Sequence, residues 1–194
     1  LIEGCESAAP AADGRRMLVG PGGNHPDPFP GYGGFVGWEA PLRLQDGTLL
    51  VGFSAGYWHG SPPTPLRMSP EILRQWWKLG MPTQYDAPTG GRAMSIRSTD
   101  GGRTWSRPTT LIDTPWDDRS PNFVELSDGT ILCSFFTMPG EGDPFHQPEI
   151  ARHVALVRST DGGRSWQQTP QRLPSPFAAD ATDGPPIILQ DGSV

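Results

Sequence analysis

Short apolar segments separated by turn-forming residues dominate this sequence. Between residues 119 and 172 four such segments follow one another, at about 119–126, 130–137, 151–158 and 166–172, each rich in Val, Ile, Leu, Phe or Trp. Segments of this length and composition, bounded by Gly, Asp, Ser and Pro, are typical of β-strands. The pattern therefore predicts a unit of four consecutive antiparallel strands.

A tight turn joins the first two strands of this unit. Ser127-Asp128-Gly129-Thr130 lies between them, and an Asp-Gly pair supplies the positive φ angles of the primed hairpin turns. The same Leu-x-Asp-Gly-Thr/Ser element occurs around Asp46 and Asp191. We therefore expect three hairpins of one type.

An eight-residue element repeats between the third and fourth strands. Ser-Thr-Asp-Gly-Gly-Arg-Thr-Trp at 98–105 recurs at 159–166 with Ser in place of the second Thr, an offset of 61 residues. The two repeated elements interleave, so a unit spans about 60 residues, and the first unit carries an insertion of about 20. Repeated four-stranded units favour a β-propeller over a sandwich, whose strands rarely repeat in sequence.

Composition and charge narrow the function classes. The chain has 25 Gly and 23 Pro among 194 residues, which excludes a helical bundle, while 7 Trp and 8 Phe argue against disorder. The formal net charge of −6 disfavours nucleic acid or anionic lipid as the main partner. No apolar run approaches the roughly 20 residues of a membrane span.

The repeated aspartates Asp100 and Asp161 are predicted to be structural. Each carboxylate can accept hydrogen bonds from its own turn, and the terminal Trp can anchor the hairpin in apolar surroundings. A catalytic role is disfavoured, because one active site has no use for the same carboxylate in every repeat.

With both elements in register, the sequence resembles the sialidase superfamily of propellers, also called the neuraminidase or BNR-repeat family. Both eight-residue elements match its Asp-box pattern, Ser-x-Asp-x-Gly-x-Thr/Ser-Trp, and the resemblance covers roughly residues 35–194. Family members usually close six blades, which implies that this chain covers about half a propeller. Residues 1–34 would form an N-terminal segment that could include a strand of a neighbouring blade, and 35–194 would form two complete blades and the start of a third.

A helical insertion is expected at about 59–91, inside the first unit. Ser69 is a good N-cap, Pro70 suits the first helical position and Gly80 is a natural stop. Four apolar residues between them fall on one helical face: Ile72, Leu73, Trp76 and Leu79. Trp76 and Trp77 either form a sugar-stacking wall or pack the helix onto the blade.

Strand order predicts where a site would be built. The hairpin turns and the Asp-boxes share one end of the blades, whereas long and irregular loops share the other, and long loops on a rigid scaffold carry function. That variable end gathers carboxylates, an arginine, histidines and aromatic rings: Trp38, Glu39, Trp58, His59, Trp76, Asp118, Arg119 and His146. This composition is typical of a carbohydrate site.

Three of these residues are candidates for catalysis. Arg119 aligns with Gly37 and Thr182 of the other units, so the repeat does not require arginine at this position. It could hold a substrate carboxylate bidentately, or it could pair with Asp117 or Asp118 and fix the connection between the two units. Asp118 could act as a general acid if burial raises its pKa, or could cap the strand entry. Glu39 is either a charged side chain at the opening of the propeller channel or a solvated loop carboxylate.

The remaining candidates are substrate-binding side chains. Trp38, Trp58, His59, Trp76 and His146 are expected to contact a glycan. His59 and His146 show no metal-ligand spacing, so no metal or cofactor is expected.

The departures from the family pattern bear on the substrate. Sialidases usually carry Arg-Ile-Pro on the first inner strand, where this chain has Trp38-Glu39-Ala40-Pro41, so an acidic sugar is in doubt. The family's Tyr nucleophile and its Glu partner would lie beyond Val194.

The first functional hypothesis is a retaining glycoside hydrolase related to exo-sialidases, which cleaves terminal sugars from glycans. A non-catalytic propeller that binds glycans or a protein, or a polysaccharide lyase on the same scaffold, is the alternative.

The two cysteines of the sequence do not indicate where the protein is located. Cys133 lies in an apolar run and is predicted to be a buried thiol, so the two cysteines do not form a disulfide scaffold. The start at Leu1 leaves open whether a secretion signal precedes it, and an extracellular or periplasmic location is a working hypothesis. Oligomeric state is left open.

Overall fold

The computed structural model describes residues 18–19, 35–63, 69–80, 90–138, 152–177 and 180–194. These residues form eight strands and one helix, so the described part of the chain is all-β apart from that helix. The elements are β1 (Phe35–Arg43), β2 (Leu49–Gly56), α1 (Pro70–Lys78), β3 (Arg92–Ser98), β4 (Thr109–Ile112), β5 (Asp117–Glu125), β6 (Ile131–Met138), β7 (His153–Ser159) and β8 (Gln171–Arg172).

The strands form two four-stranded antiparallel sheets with the orders β1-β2-β3-β4 and β5-β6-β7-β8. Each sheet is a meander of sequential neighbours, as expected for successive blades of a β-propeller. The prediction of four-stranded antiparallel blades is confirmed. The fourth strand of the second blade is shorter than predicted, because the Asp-box turn occupies residues up to Trp166 and β8 begins only at Gln171.

The two blades pack against each other through a shared apolar core. Buried residues of the first blade, such as Leu50 and Leu111, belong to one cluster with Phe123, Ile131 and Phe135 of the second. The Phe123 ring lies 5.6 Å from the ring of Trp166, between the sheets. Blade-to-blade burial of this kind is what stabilises repeat architectures.

The other face of the first blade carries a second apolar cluster. Phe53, Ala55, Met94 and Ile96 are buried there, and Leu18 and Val19 belong to the same cluster. The N-terminal segment therefore covers this face at residues 18–19. The remainder of the 1–34 segment lies outside the described residues, and its boundary stays a prediction.

The three Asp-Gly hairpins share one turn, which differs from the predicted type. Gly47, Gly129 and Gly192 have φ angles of +85°, +82° and +83°, whereas the preceding aspartates do not have positive φ. In the first hairpin, Gly47 N–H donates to the Leu44 carbonyl at 2.9 Å and Leu44 N–H donates to the Thr48 carbonyl at 2.8 Å. This is a three-residue loop that ends on a glycine bulge instead of a primed turn.

The aspartate side chain explains why this turn is preferred. Asp46 Oδ1 accepts the Thr48 N–H at 2.8 Å, and Asp128 Oδ1 accepts the Thr130 N–H at 2.9 Å. The carboxylate thereby satisfies the backbone two residues ahead, which holds the aspartate outside the left-handed region.

The Asp-boxes at 98–105 and 159–166 are closed by their own aspartates. Asp100 accepts hydrogen bonds from Ser98 Oγ at 2.8 Å, Thr104 N at 2.9 Å and Thr104 Oγ1 at 2.7 Å. The Thr104 bonds are the main reason that the pKa of Asp100 lies well below its usual range. Bonding of this kind agrees with the structural interpretation of this carboxylate.

Asp161 is bound in the same way. It accepts from Ser159 Oγ at 2.8 Å, Ser165 N at 2.9 Å and Ser165 Oγ at 2.6 Å. Desolvation by the surrounding protein would raise its pKa, but the Ser165 and Ser159 bonds outweigh that effect and lower it. The adjoining Trp166 is 7% exposed and belongs to the core between the blades.

Both inner strands carry a bulge at the same place in the repeat. The β1–β2 register shifts between Gly37 and Ala40, and the β5–β6 register shifts between Arg119 and Asn122. The offset of 82 residues from Gly37 to Arg119 equals that from Asp46 to Asp128. The structure thus confirms the alignment that sets Arg119 opposite Gly37.

The insertion contains the predicted helix. In α1, Leu73 N–H donates to the Ser69 carbonyl at 3.0 Å, and Gly80, with φ +78°, ends the helix. The expected apolar face is only partly buried, because Leu79 is 73% exposed in the turn that follows the last helical residue. Among the described residues, no helix is long and apolar enough to span a membrane.

We predict that Asp161→Ala lowers the melting temperature of the full-length protein by a few degrees, because it removes four hydrogen bonds that close the turn. Activity of the folded fraction should be unchanged. Differential scanning calorimetry would measure the shift. Asp183→Ala, at an exposed carboxylate outside both Asp-boxes, is the matched control and should not change the melting temperature. Loss of activity at normal stability would refute the structural role.

Candidate functional site

Three charged residues begin β5 and are almost fully buried. Asp117 and Asp118 are 0% exposed and Arg119 is 1% exposed. They follow the crossing at residues 113–116, which leads from β4 of the first blade to the inner strand of the second. Buried charges require partners, so the contacts of this group determine what it can do.

Asp117 and Arg119 form a buried ion pair. Arg119 Nε donates to Asp117 Oδ1 at 2.6 Å, and Arg119 Nη2 donates to the Trp58 carbonyl at 3.4 Å. The pairing interpretation from the sequence is therefore the contact that the structure shows. A role of Arg119 in binding a substrate carboxylate stays a prediction.

The same aspartate also binds the two ends of the insertion, at Ser61 and Gly91, which together we call its neck. Asp117 Oδ2 accepts the Ser61 N–H at 2.6 Å, Gly91 N–H donates to the Ser61 carbonyl at 2.8 Å, and Asp118 N–H donates to the Gly91 carbonyl at 2.9 Å. A Cβ at Gly91 would collide with Asp117 Oδ1, and one at Gly90 would collide with the Trp116 carbonyl. Both ends of the insertion are thus bound to the second blade at one point.

Asp118 is a carboxyl group with an unusual environment. Its Oδ2 accepts the Thr114 N–H at 2.6 Å and its Oδ1 accepts from Thr114 Oγ1 at 2.9 Å. Burial raises the pKa of Asp118 to about 7, against the lowering effect of the Thr114 and Thr137 hydrogen bonds, and the nearby Asp117 adds to the rise. At neutral pH this group therefore exists in both protonation states.

Four rings form what we call the ring cluster: Phe35, Trp38, Trp58 and His59. The centroid of the Trp38 ring lies 5.1 Å from that of Phe35 and 5.0 Å from that of His59, and His59 lies 5.8 Å from Trp58. The guanidinium carbon of Arg119 lies 5.1 Å from the Trp38 centroid and 5.7 Å from the Phe35 centroid. The ring cluster therefore covers the buried ion pair through cation–π contacts.

Backbone strain coincides with this contact. Trp38 and Ser120 have φ angles of +55° and +49°, a region that residues with a Cβ rarely adopt. Both lie in the bulges of the inner strands, and Ser120 directly follows Arg119. Such strain persists only where the surrounding structure enforces it, and it concentrates at functional sites.

Two buried polar atoms in this region lack a hydrogen-bond partner. Among the described residues, neither Arg119 Nη1 nor Ser120 Oγ has one. For Arg119 the faces of Trp38 and Phe35 take the place of an acceptor, since ring faces attract N–H groups and cations.

The structure gathers some of the predicted site residues and not others. Trp38, Trp58, His59, Asp118 and Arg119 lie at the same end of the two blades, with His59 exposed and both Trp side chains half-buried. Glu39 is exposed on β1, and Trp76 is half-buried on α1 without a ring contact to the cluster. His146 lies outside the described residues.

Three residues of the site were not singled out from the sequence. Phe35 belongs to the ring cluster, Asp117 belongs to the ion pair, and Ser61 donates its backbone N–H to Asp117. The sequence indicated Asp117 only as a partner for Arg119. The Gly90-Gly91 pair at the end of the insertion is the signal that could have indicated a close backbone approach there.

Among the described residues, no three His, Cys, Asp or Glu side chains lie close enough together to hold a metal ion.

We predict that Gly91→Ala destabilises the protein by about 1–3 kcal/mol, because the new methyl group displaces the Asp117 carboxylate from its ion pair. Urea denaturation of the full-length protein would measure this change. Gly184→Ala, where a Cβ meets no atom within 4 Å, is the matched control and should be neutral. Equal stability of the two variants would show that the neck does not depend on close approach.

Comparison with known proteins concerns the fold. No protein-family model and no curated protein matches the chain. A solved structure of a protein of unknown function from Dyadobacter fermentans is similar, with 19% identity, a TM-score of 0.50, and coverage of 81% of this chain and 44% of that one.

Two enzymes of known activity are similar at lower TM-scores. A Hadza microbial sialidase has 20% identity and a TM-score of 0.43, covering 68% of this chain and 23% of its own. A GH93 α-L-arabinofuranosidase of Fusarium graminearum has 22% identity and a TM-score of 0.41, covering 68% and 30%. The chain thus spans less than half the length of each of these structures, and identities this low concern the fold alone.

Proposed function

We propose that this chain forms part of a glycoside hydrolase, related to exo-sialidases, that cleaves terminal sugars from glycans at the variable end of its blades. The observation that carries the proposal is the placement of Asp118, a buried carboxyl group with a pKa of about 7, at the same end as the ring cluster. The two Asp-box repeats, which resemble those of the sialidase superfamily, support the same reaction class.

Asp118 has the properties of a general acid. A carboxyl group with an ordinary pKa is ionised at neutral pH and has no proton to donate to a glycosidic oxygen. Burial keeps a substantial fraction of Asp118 protonated at pH 7. After bond cleavage the same carboxylate could take a proton from water, as acid/base residues of retaining glycosidases do.

Access to Asp118 requires a local change. Both of its carboxylate oxygens are bonded to Thr114, and the side chain is 0% exposed. Thr114 belongs to the short crossing at 113–116, which is half-exposed or exposed at its surface. A small displacement of this crossing on substrate binding would free an oxygen of Asp118 without disturbing the blades.

The remaining parts of the mechanism follow from the resemblance. Sialidases use a Tyr nucleophile activated by Glu, in place of the usual pair of carboxylates. In this proposal those residues lie beyond Val194, and the described residues supply the acid and the sugar-binding surface.

A second candidate function is glycan binding without catalysis. It is favoured by one observation: Asp117 and Asp118 are both fully buried and fully hydrogen-bonded, as structural carboxylates usually are. Hydrolysis assays separate the two functions, because only the hydrolase releases a reducing sugar from a glycan that binds. A lyase would be recognised by the carbon–carbon double bond that it leaves in its product.

We predict that Asp118→Asn lowers kcat for glycoside hydrolysis by about 10²–10⁴-fold and leaves substrate affinity nearly unchanged, because the amide cannot donate a proton to the leaving group. Steady-state kinetics of the full-length protein on a panel of aryl glycosides would test this. Asp113→Asn is the matched control, since Asp113 lies on the same crossing but pairs with Arg92 at its surface. Full activity of Asp118→Asn would refute the proposed acid.

The raised pKa of Asp118 also predicts a pH-dependent stability. Below about pH 4 both folded and unfolded states are protonated, whereas between about pH 4 and pH 7 only the unfolded state ionises, so wild-type stability falls over this range. Relative to wild type, Asp118→Asn should therefore gain on the order of 4 kcal/mol between pH 4 and pH 8. Denaturant unfolding at the two pH values would measure it, and a pH-independent difference would contradict the raised pKa.

A further inference from the structure

The ring cluster and the buried ion pair together restrict which sugars this end of the blades can bind. We propose that the ring cluster binds an uncharged sugar ring by stacking, and that Arg119 holds Trp38 in place instead of gripping a substrate carboxylate. This inference rests on the proposed glycan-active function and adds the substrate class.

Part of the hydrogen-bonding capacity of Arg119 is already used inside the protein. A bidentate grip on a carboxylate uses two N–H groups on one edge of the guanidinium. Arg119 Nε is bound to Asp117 Oδ1 at 2.6 Å, and Nη2 is bound to the Trp58 carbonyl at 3.4 Å. The edge that contains Nε is therefore not available to a ligand, and a substrate carboxylate could use only the Nη1 and remaining Nη2 N–H groups, of which Nη1 is buried.

The Arg119 guanidinium is also closed off from solvent. Arg119 is 1% exposed, and its guanidinium carbon lies within 5.1 Å and 5.7 Å of the Trp38 and Phe35 ring centroids. A ligand carboxylate would have to displace Trp38, whose backbone the surrounding structure holds at φ +55° in the β1 bulge. The Arg119 guanidinium is therefore an internal support for the ring.

Negative charge offsets the Arg119 guanidinium in this region. Asp117 pairs with Arg119 at 2.6 Å, and the acidic Glu39 is exposed on β1 beside Trp38. An incoming carboxylate meets no surplus of positive charge here and would be repelled by this arrangement. An uncharged ring has no such penalty.

The ring cluster itself offers the surface that an uncharged sugar needs. The C–H groups of a sugar face are weakly positive and pack on the negative face of an aromatic ring. His59 is exposed at the centre of the cluster, with Phe35, Trp38 and Trp58 around it at centroid distances of 5.7, 5.0 and 5.8 Å. Its ring nitrogens can in addition bond sugar hydroxyl groups.

The experiment uses sets of methyl glycosides that differ only in the C5 substituent: hydrogen, CH₂OH or carboxylate. The gluco and galacto sets, each with its pentoside, hexoside and hexuronide, are titrated into the full-length protein by calorimetry, with N-acetylneuraminic acid as a further acidic probe. We expect an uncharged member of at least one set to bind at least tenfold more tightly than its hexuronide. Equal or tighter binding of a hexuronide or of N-acetylneuraminic acid would overturn the inference.

Variants of His59 locate the binding surface. His59→Ala should weaken binding of the uncharged sugar about tenfold, whereas His59→Phe, which keeps a ring, should retain most of it. Phe177→Ala removes an exposed ring outside the cluster and is the matched control, which should bind normally. Unchanged affinity of His59→Ala would place the sugar elsewhere and overturn the inference.

Failure of the inference and failure of the proposed function give different results. Preferential binding or hydrolysis of acidic glycans would leave the glycan-active function intact and remove only the uncharged substrate class. Binding of no probe, together with no hydrolysis across the aryl glycoside panel, would overturn both.

Discussion

The buried ion pair between Asp117 and Arg119 is the interaction on which the rest of the site depends. Removing one member of a buried pair leaves an uncompensated charge and typically destabilises a protein by about 3–5 kcal/mol, although the intact pair adds little net stability. Its value here is positional. Asp117 accepts the Ser61 N–H at one end of the insertion, and Gly91 at the other end donates to the Ser61 carbonyl. Arg119 packs against Trp38 of the neighbouring blade. One pair thereby fixes the geometry of two blades and a loop.

The two ends of the blades are built on different principles. At the Asp-box end every aspartate is bonded to its own turn, so each hairpin is stable locally and repeats with the sequence. At the opposite end the bonds connect residues distant in sequence, such as Ser61 with Asp117, and the inner strands carry strained bulges. A locally stable scaffold can hold that strain, and this allows one end to vary while the fold is kept.

The scaffold gives Asp118 and the ring cluster two different environments: one is a buried carboxyl group and the other is a partly exposed aromatic surface. Burial within the scaffold raises the pKa of one carboxyl group to about 7, while the adjoining Asp117 is kept paired with Arg119. Neighbouring carboxyl groups with different environments are a common basis for acid–base chemistry. Because the guanidinium is used inside the protein, the exposed surface left for a ligand is aromatic, and this agrees with a carbohydrate that stacks more than it forms ion pairs.

The sequence by itself determined the repeating parts of this protein. Local sequence patterns sufficed to predict the strands of each blade, the Asp-boxes, the positions of the hairpins and helix α1, because these elements are encoded within a few residues. The type of turn in the Asp-Gly hairpins was the exception. The sequence indicated Arg119 as a candidate because the repeat does not require arginine there, and Asp118 because it adjoins Arg119. Their partners were decided only by the tertiary structure, because the insertion neck and the ring cluster bring together residues up to 84 positions apart, as between Phe35 and Arg119. The burial that raises the pKa of Asp118 likewise arises only in the folded chain, where the crossing and β6 lie against the carboxyl group, and no local pattern encodes it.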